Sequence, residues 1–191
     1  MIELARPAES VRYRLTVDDF YAMAEAGILK REQRVKLIEG DVIQMSPIGS
    51  EHSAVVGRLN KRLVLSVGDR AVVWIQCSVR LSRHSEPQPV ALILRPREDD
   101  YGQSLPTRDD VIVLVEVADT SLSYDRSTKL PLYARHGIEE VWLVNLRARH
   151  VEVFRDPEAD GYAEKHTVAR EGILQPAAMP DLDIPVADLL R

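Results

Sequence analysis

The chain has 191 residues, 45% of them hydrophobic and 29% charged, the length of one ordinary domain with enough apolar content to bury a real core. Its 25 Lys and Arg against 30 Asp and Glu give a formal charge of -5, which excludes broad attraction to phosphate backbones and confines any nucleic-acid contact to a local basic patch. No stretch reaches the ~20 apolar residues of a membrane span, and the opening MIELARPAESVRYRL lacks the apolar run and cleavage pattern of a signal peptide, so a soluble protein is expected.

In chain order, TVDDFYAMAEAGIL begins with Thr16 followed three residues later by Asp19, and Phe20, Met23 and Ile28 recur at helical spacing, which predicts a capped helix of about three turns. VKLIEGDVIQMSP then places two short apolar runs about Glu39-Gly40-Asp41, a hairpin signal ended by Pro47. SEHSAVVGRLNKRLVLSVGD reads as a second helix with Ser50 as N-cap, Val55, Leu59 and Leu63 on one face, and Gly68 as the stop. Strands are expected in AVVWIQCSVRLS, VALILRP and VIVLVEVAD, the last two apolar enough to be covered on both faces. Cys77, the sole cysteine, reads as a buried structural thiol inside the first of them, which suits a reducing cytoplasm.

REDDYGQSLPTRDD is expected to be an exposed loop; SYDRSTKLPLYARHGIEE contains a helix ending before Gly137. VWLVNL, HVEVFRD and YAEKHTV follow as strands, and the tail MPDLDIPVADLLR, with two prolines, reads as a packed irregular end. No internal repeat interrupts this pattern, so residues 1–191 are expected to form a single α/β domain, a central mixed sheet flanked by helices with an N-terminal helix and β-hairpin added.

Glu116 carries the most information, because an ionised carboxylate amid the apolar residues from Val111 to Ala118 needs a compensating metal, lysine or proton. Lys129 is available shortly downstream, near the expected start of a helix, where the backbone dipole disfavours a cation unless an anion answers it; a solvated surface lysine is the alternative. A carboxylate on a buried strand and a lysine on the next helix could serve phosphodiester hydrolysis, with carboxylates holding Mg²⁺. That chemistry needs a second oxygen ligand, and the neighbouring strand, in SEPQPVALILRPR, starts with Val90. Glu39 is either a third carboxylate or a turn residue facing water; His52, in the first turn of a helix, could bond a phosphate oxygen or cap the helix. Arg58, Lys61 and Arg62 in GRLNKRL form the densest basic stretch, a solvated helix face or a phosphate-contacting one.

The order KLIEGDVIQMSPIGSEHSAVVGRLNKRL, then EPQP, then VLVEVADTSLSYDRSTKLPLYARHGIEEVWLVNL resembles the Uma-type restriction endonuclease family, a bacterial group related to the PD-(D/E)XK nucleases, from about Tyr13 to Phe154. The resemblance implies a restriction-endonuclease-like core with a Mg²⁺ site, DNA as substrate and a homodimer. Glu116 then matches the acidic residue of the second motif strand, Lys129 the lysine moved to the following helix, Glu39 the acidic residue of the hairpin and His52 the histidine after it. The aspartate expected after Pro89 is replaced by Val90, which removes a coordinating oxygen and a unit of negative charge. Two readings follow: a metal-dependent endonuclease weakened or silenced by Val90, or a catalytically degenerate module that uses the same cleft to bind nucleic acid or a protein partner.

Overall fold

Helix α1 (Val17–Glu25) starts at a reciprocal cap, in which the Thr16 hydroxyl accepts the Asp19 N–H at 3.1 Å and the Asp19 carboxylate accepts the Thr16 N–H at 2.8 Å. The computed structural model describes residues 12–30 and 32–191; most of the opening segment searched for a signal peptide lies outside the described residues, as does Arg31. Strands β1 (Val35–Ile38) and β2 (Asp41–Gln44) pair antiparallel about a two-residue turn, Glu39 and Gly40, both left-handed at φ 49° and 83°. Glycine is required at the second position, since a Cβ there would stand 2.6 Å from Arg14 Cβ and 2.8 Å from Arg14 Cα.

Helix α2 (Ser50–Val67) ends at Gly68 as expected, but its N-cap is Gly49 and not Ser50. Gly49 holds the extended cap conformation, and Ser50 is already helical; the hydroxyl that reaches back to Gly49 O, at 3.1 Å, is that of Ser53. Val55, Leu59 and Leu63 are all buried on its inner face.

The central sheet has six strands in spatial order β3 (Val72–Ile75), β4 (Ala91–Leu94), β5 (Val111–Ala118), β6 (Glu140–Asn145), β7 (His150–Glu158) and β8 (Gly161–Val168). Only β5 and β6 run parallel, so the sheet is mixed and the connection between them must cross over. The first strand is shorter than its apolar sequence suggests: Gln76 takes φ 52°, which ends β3 and leaves Cys77 half-buried beyond it, its thiol donating to Ile75 O at 3.3 Å. Burial pushes that thiol up from its ordinary range.

Every residue of β5 is buried. Val113, Val115 and Val117 join Val55, Leu59 and Leu63 of α2 in one core, while Leu114 and Ala118 join Leu132 and Tyr133 in a second core on the opposite face. Glu116 shares the parity of Leu114 and Ala118, so the two-residue period aims its carboxylate at the crossover helix.

That crossover is one continuous helical run: α3 (Leu122–Tyr124), a π-helical stretch (Asp125–Lys129) and α4 (Leu130–Arg135). Pro131 sits in the first turn of α4, where its missing N–H and its ring disrupt the helical ladder, and the run widens just before it. Lys129 therefore lies two turns into the run and not near its start, so no N-terminal dipole acts on it and its partners must be side chains.

The tail is more ordered than its prolines suggest. Strands β9 (Ile173–Leu174) and β10 (Ile184–Pro185) pair antiparallel, and α5 (Val186–Leu189) follows. Ile184 and Leu189 are fully buried in the core beneath α2, so the tail completes the domain. Among the described residues no helix is long and apolar enough to cross a membrane.

Candidate active site

The end of β5, the start of the crossover, the hairpin and the first turn of α2 surround a cavity of about 410 Å³. Its walls include Lys36 of β1, His52 of α2, Val90 ahead of β4, Glu116 of β5, and Tyr124, Asp125 and Lys129 of the crossover.

Lys129 is the centre of its charge arrangement. Its ammonium lies 2.9 Å from Glu116 Oε1 and 2.9 Å from Asp125 Oδ1, with all three groups buried. The π-helical stretch holds Asp125 and Lys129 four residues apart, so both side chains reach the carboxylate that β5 delivers. Tyr133, also buried, donates its hydroxyl to Glu116 Oε1 at 2.6 Å, and Ser121 donates to Asp125 Oδ2 at 2.6 Å. Burial works to lower the Lys129 pKa, but Glu116 and Asp125 outweigh it and hold the ammonium above its ordinary range. Burial, then the Glu116 charge, push the Tyr133 phenol well above its ordinary range, so it remains a donor.

Lys36 is the second buried cation in the cavity, and the sequence reading passed over it. It is only 7% exposed, and among the described residues no carboxylate lies within 4 Å of its ammonium. Its ammonium lies over the face of the Tyr124 ring, 5.4 Å from the centroid. Burial, and then repulsion from Lys129, pull its pKa down to about 8, against the weaker opposing pull of Glu116 and Asp125.

His52 reaches the cavity as the third residue of α2; burial lowers its pKa, so the imidazole is neutral at pH 7. Val90 is 8% exposed, its N–H bonded to Val115 O at 3.1 Å, which sets an aliphatic side chain beside the strand that carries Glu116.

The remaining sequence candidates lie elsewhere. Glu39 is outside the cavity wall, at the left-handed turn position, and pairs with Arg135 at 2.9 Å with about half its side chain exposed. Arg58 donates to Leu189 O at 2.8 Å and Arg62 pairs with Asp188, so this basic face packs on the C-terminal helix; exposed Lys61 borders the same small depression. Asp125 belongs to the cavity and was not singled out from the sequence, although its spacing of four from Lys129 was the available signal.

The donor set does not fit Mg²⁺. That ion asks for near-octahedral oxygen ligands at about 2.0–2.1 Å, including one or two free carboxylates. Here both buried carboxylates already share Lys129, Asp119 at the rim is paired with Arg147 at 3.2 Å, Val90 offers no oxygen, and Lys36 adds a second positive charge. Among the described residues no group of three His, Cys, Asp or Glu side chains could hold a metal ion.

A mixed sheet that aims a buried glutamate at a lysine on the adjoining crossover helix defines a nuclease-like fold. The solved structures agree: the chain superposes on the crystal structure of a "putative nuclease belonging to DUF820" from Anabaena variabilis with a TM-score of 0.69 at 18% identity, over 92% of this chain and 97% of that one. The family model "Uma2: Putative restriction endonuclease" matches residues 17–187, and the chain belongs to that family. The match runs beyond the Phe154 expected from sequence, through β10 into α5, in keeping with the burial of the tail in the core. No curated protein matches.

Proposed function

We propose that this protein is a nuclease-fold member that engages nucleic-acid phosphates in the cavity between the hairpin and the crossover, with metal-dependent hydrolysis weak or absent. The supporting observation is the occupancy of the centre by side chains: Lys129 bridges Glu116 and Asp125 where two carboxylates would otherwise be free, and Val90 stands where a further oxygen would be required. Glu116 and Asp125 then act as a negative platform for Lys129, with one oxygen of each held by Tyr133 and Ser121. DNA is the substrate class in keeping with the family, a homodimer the arrangement for engaging two strands symmetrically, and the cytoplasm the compartment that keeps Cys77 reduced.

The test is cleavage of plasmid and short duplex DNA by the wild-type chain and by Val90→Asp, each with Mg²⁺, Mn²⁺ or EDTA. We expect little cleavage by the wild type and a metal-dependent gain in the variant. Equal metal-dependent cleavage by both chains would show that the present donor set suffices and overturn the reading. Salt-dependent DNA binding by the wild type, measured in EDTA, is expected; no binding even at low salt would remove the nucleic-acid assignment.

A further inference from the structure

We propose that the cavity is a metal-free phosphate site in which the Lys36 ammonium, the His52 imidazole and the Tyr124 hydroxyl together hold one phosphate group. Three observations converge. Lys36 is nine-tenths buried, lines the cavity, and among the described residues has no carboxylate within 4 Å. His52 Nδ1 and Tyr124 OH line the same cavity, are buried, and have no hydrogen-bond partner. Buried polar atoms are rarely left unmatched, so these two beside an ammonium that no carboxylate answers call for a hydrogen-bonding anion.

The chemistry of the three groups favours an oxyanion. Burial keeps the Tyr124 phenol above its ordinary range, hence a donor, and keeps His52 neutral; the ring's hydrogen bond to the Val117 backbone places its proton on the other nitrogen, so Nδ1 accepts from a protonated phosphate oxygen. Lys36 contributes the charge, and charge-assisted bonds from an ammonium to a phosphate oxygen are stronger than neutral ones. Lys129 is committed to Glu116 and Asp125, so Lys36 is the buried cation left for a ligand, with exposed Arg34 at the rim. A third unmatched atom, Asp125 Oδ1, is an acceptor that already faces Lys129 at 2.9 Å and needs no ligand. The cavity volume of about 410 Å³ exceeds a bare phosphate and lies in the range of small-ligand sites, so the group can arrive free or on the end of a nucleotide chain. This inference rests on the proposed nucleic-acid role only for the second of those sources.

The experiment is isothermal titration of the full chain in EDTA with inorganic phosphate, a short single-stranded oligonucleotide bearing a 5′-phosphate, and the same oligonucleotide without it. Wild type, Lys36→Met and Tyr124→Phe are compared, with folding checked by circular dichroism. Saturable phosphate binding is expected, weakened roughly tenfold or more in Lys36→Met and less in Tyr124→Phe. Tighter binding of the phosphorylated than the dephosphorylated oligonucleotide assigns the group to a chain end; phosphate binding without that discrimination assigns it to the free ion. Phosphate binding with no DNA binding at any salt leaves this site standing and removes the nucleic-acid role. No saturable phosphate binding, or unchanged binding by folded Lys36→Met, overturns the inference; should Lys36→Met fail to fold, unchanged binding by Tyr124→Phe overturns it.

Discussion

Replacing Lys36 by methionine should make the protein more stable at neutral pH, an unusual outcome for a buried polar side chain. The variant keeps the length and apolar stem of the lysine and removes a charge that no carboxylate answers. Folding lowers the pKa of Lys36 from 10.5 to about 8, with burial as the main cause and Lys129 as the next. At ~1.4 kcal/mol per pH unit, keeping the ammonium charged in the folded state costs about 3 kcal/mol. Below about pH 8 both folded and unfolded chains carry the proton and this penalty is constant. Between about 8 and 10.5 the unfolded chain still binds the proton that the folded chain has released, so wild-type stability gains with rising pH through that window. The difference between variant and wild type should therefore be largest at pH 7, roughly 6–12 °C in Tm at about 2–4 °C per kcal/mol for a chain of this size, and should close towards pH 10.5. Thermal and urea unfolding of both chains from pH 7 to 10.5 measure it, and taking the difference cancels groups common to both. A variant less stable than wild type at pH 7, or a difference that does not change with pH, would refute the claim that Lys36 is a buried, unanswered cation.

Lys129→Met should do the opposite, because it strips the shared partner from two buried carboxylates: a loss of about 3–5 kcal/mol is expected by urea unfolding at pH 7, shrinking as the pH is lowered. Val90→Asp should acquire a Mg²⁺-dependent rise in Tm, equivalent to about 2.7 kcal/mol when Mg²⁺ is a hundredfold above its dissociation constant, whereas wild type should show none. Glu39→Gln should alter stability by less than ~1 kcal/mol, since it breaks only a largely exposed pair with Arg135, and should leave DNA affinity in a filter-binding assay unchanged.

Local rules made much of the fold legible. The cap at Thr16, the left-handed turn at Gly40, the α2 stop at Gly68 and the wholly buried strand through Glu116 each follow from short-range chemistry that tertiary packing did not override. Glu116 was found by asking what compensates a charge inside an apolar run, and the same question put to Lys36, between Val35 and Leu37, would have found the second buried cation. Other placements depend on contacts between distant segments. The basic face of α2 is covered by α5, more than a hundred residues later, which no reading of GRLNKRL discloses. Glu39 projects away from the cavity because it is a turn residue in the left-handed region, whereas Lys36, three residues earlier on the strand, projects inward. The early end of β3 at Gln76 likewise has no clear cue in AVVWIQCSV, where Gln76 and Ser78 alternate with Cys77 and Val79 as they would along a strand.

The cavity wall carries three carboxylates, Glu116, Asp119 and Asp125, and three cations, Arg34, Lys36 and Lys129, so its formal charge is zero before any ligand arrives. Adding a dication would leave +2 in a poorly solvated space, which repels the ion unless new negative charge accompanies it. Val90→Asp and Lys36→Met each change the sum to -1, but only the first adds an oxygen. Comparing them separates charge from coordination: stabilisation by Mg²⁺ in Val90→Asp alone means that a missing ligand excludes the metal, whereas equal stabilisation in both means that the Lys36 charge does. The site geometry predicts the first outcome, because Lys36→Met adds no oxygen ligand and leaves Glu116 and Asp125 still paired with Lys129.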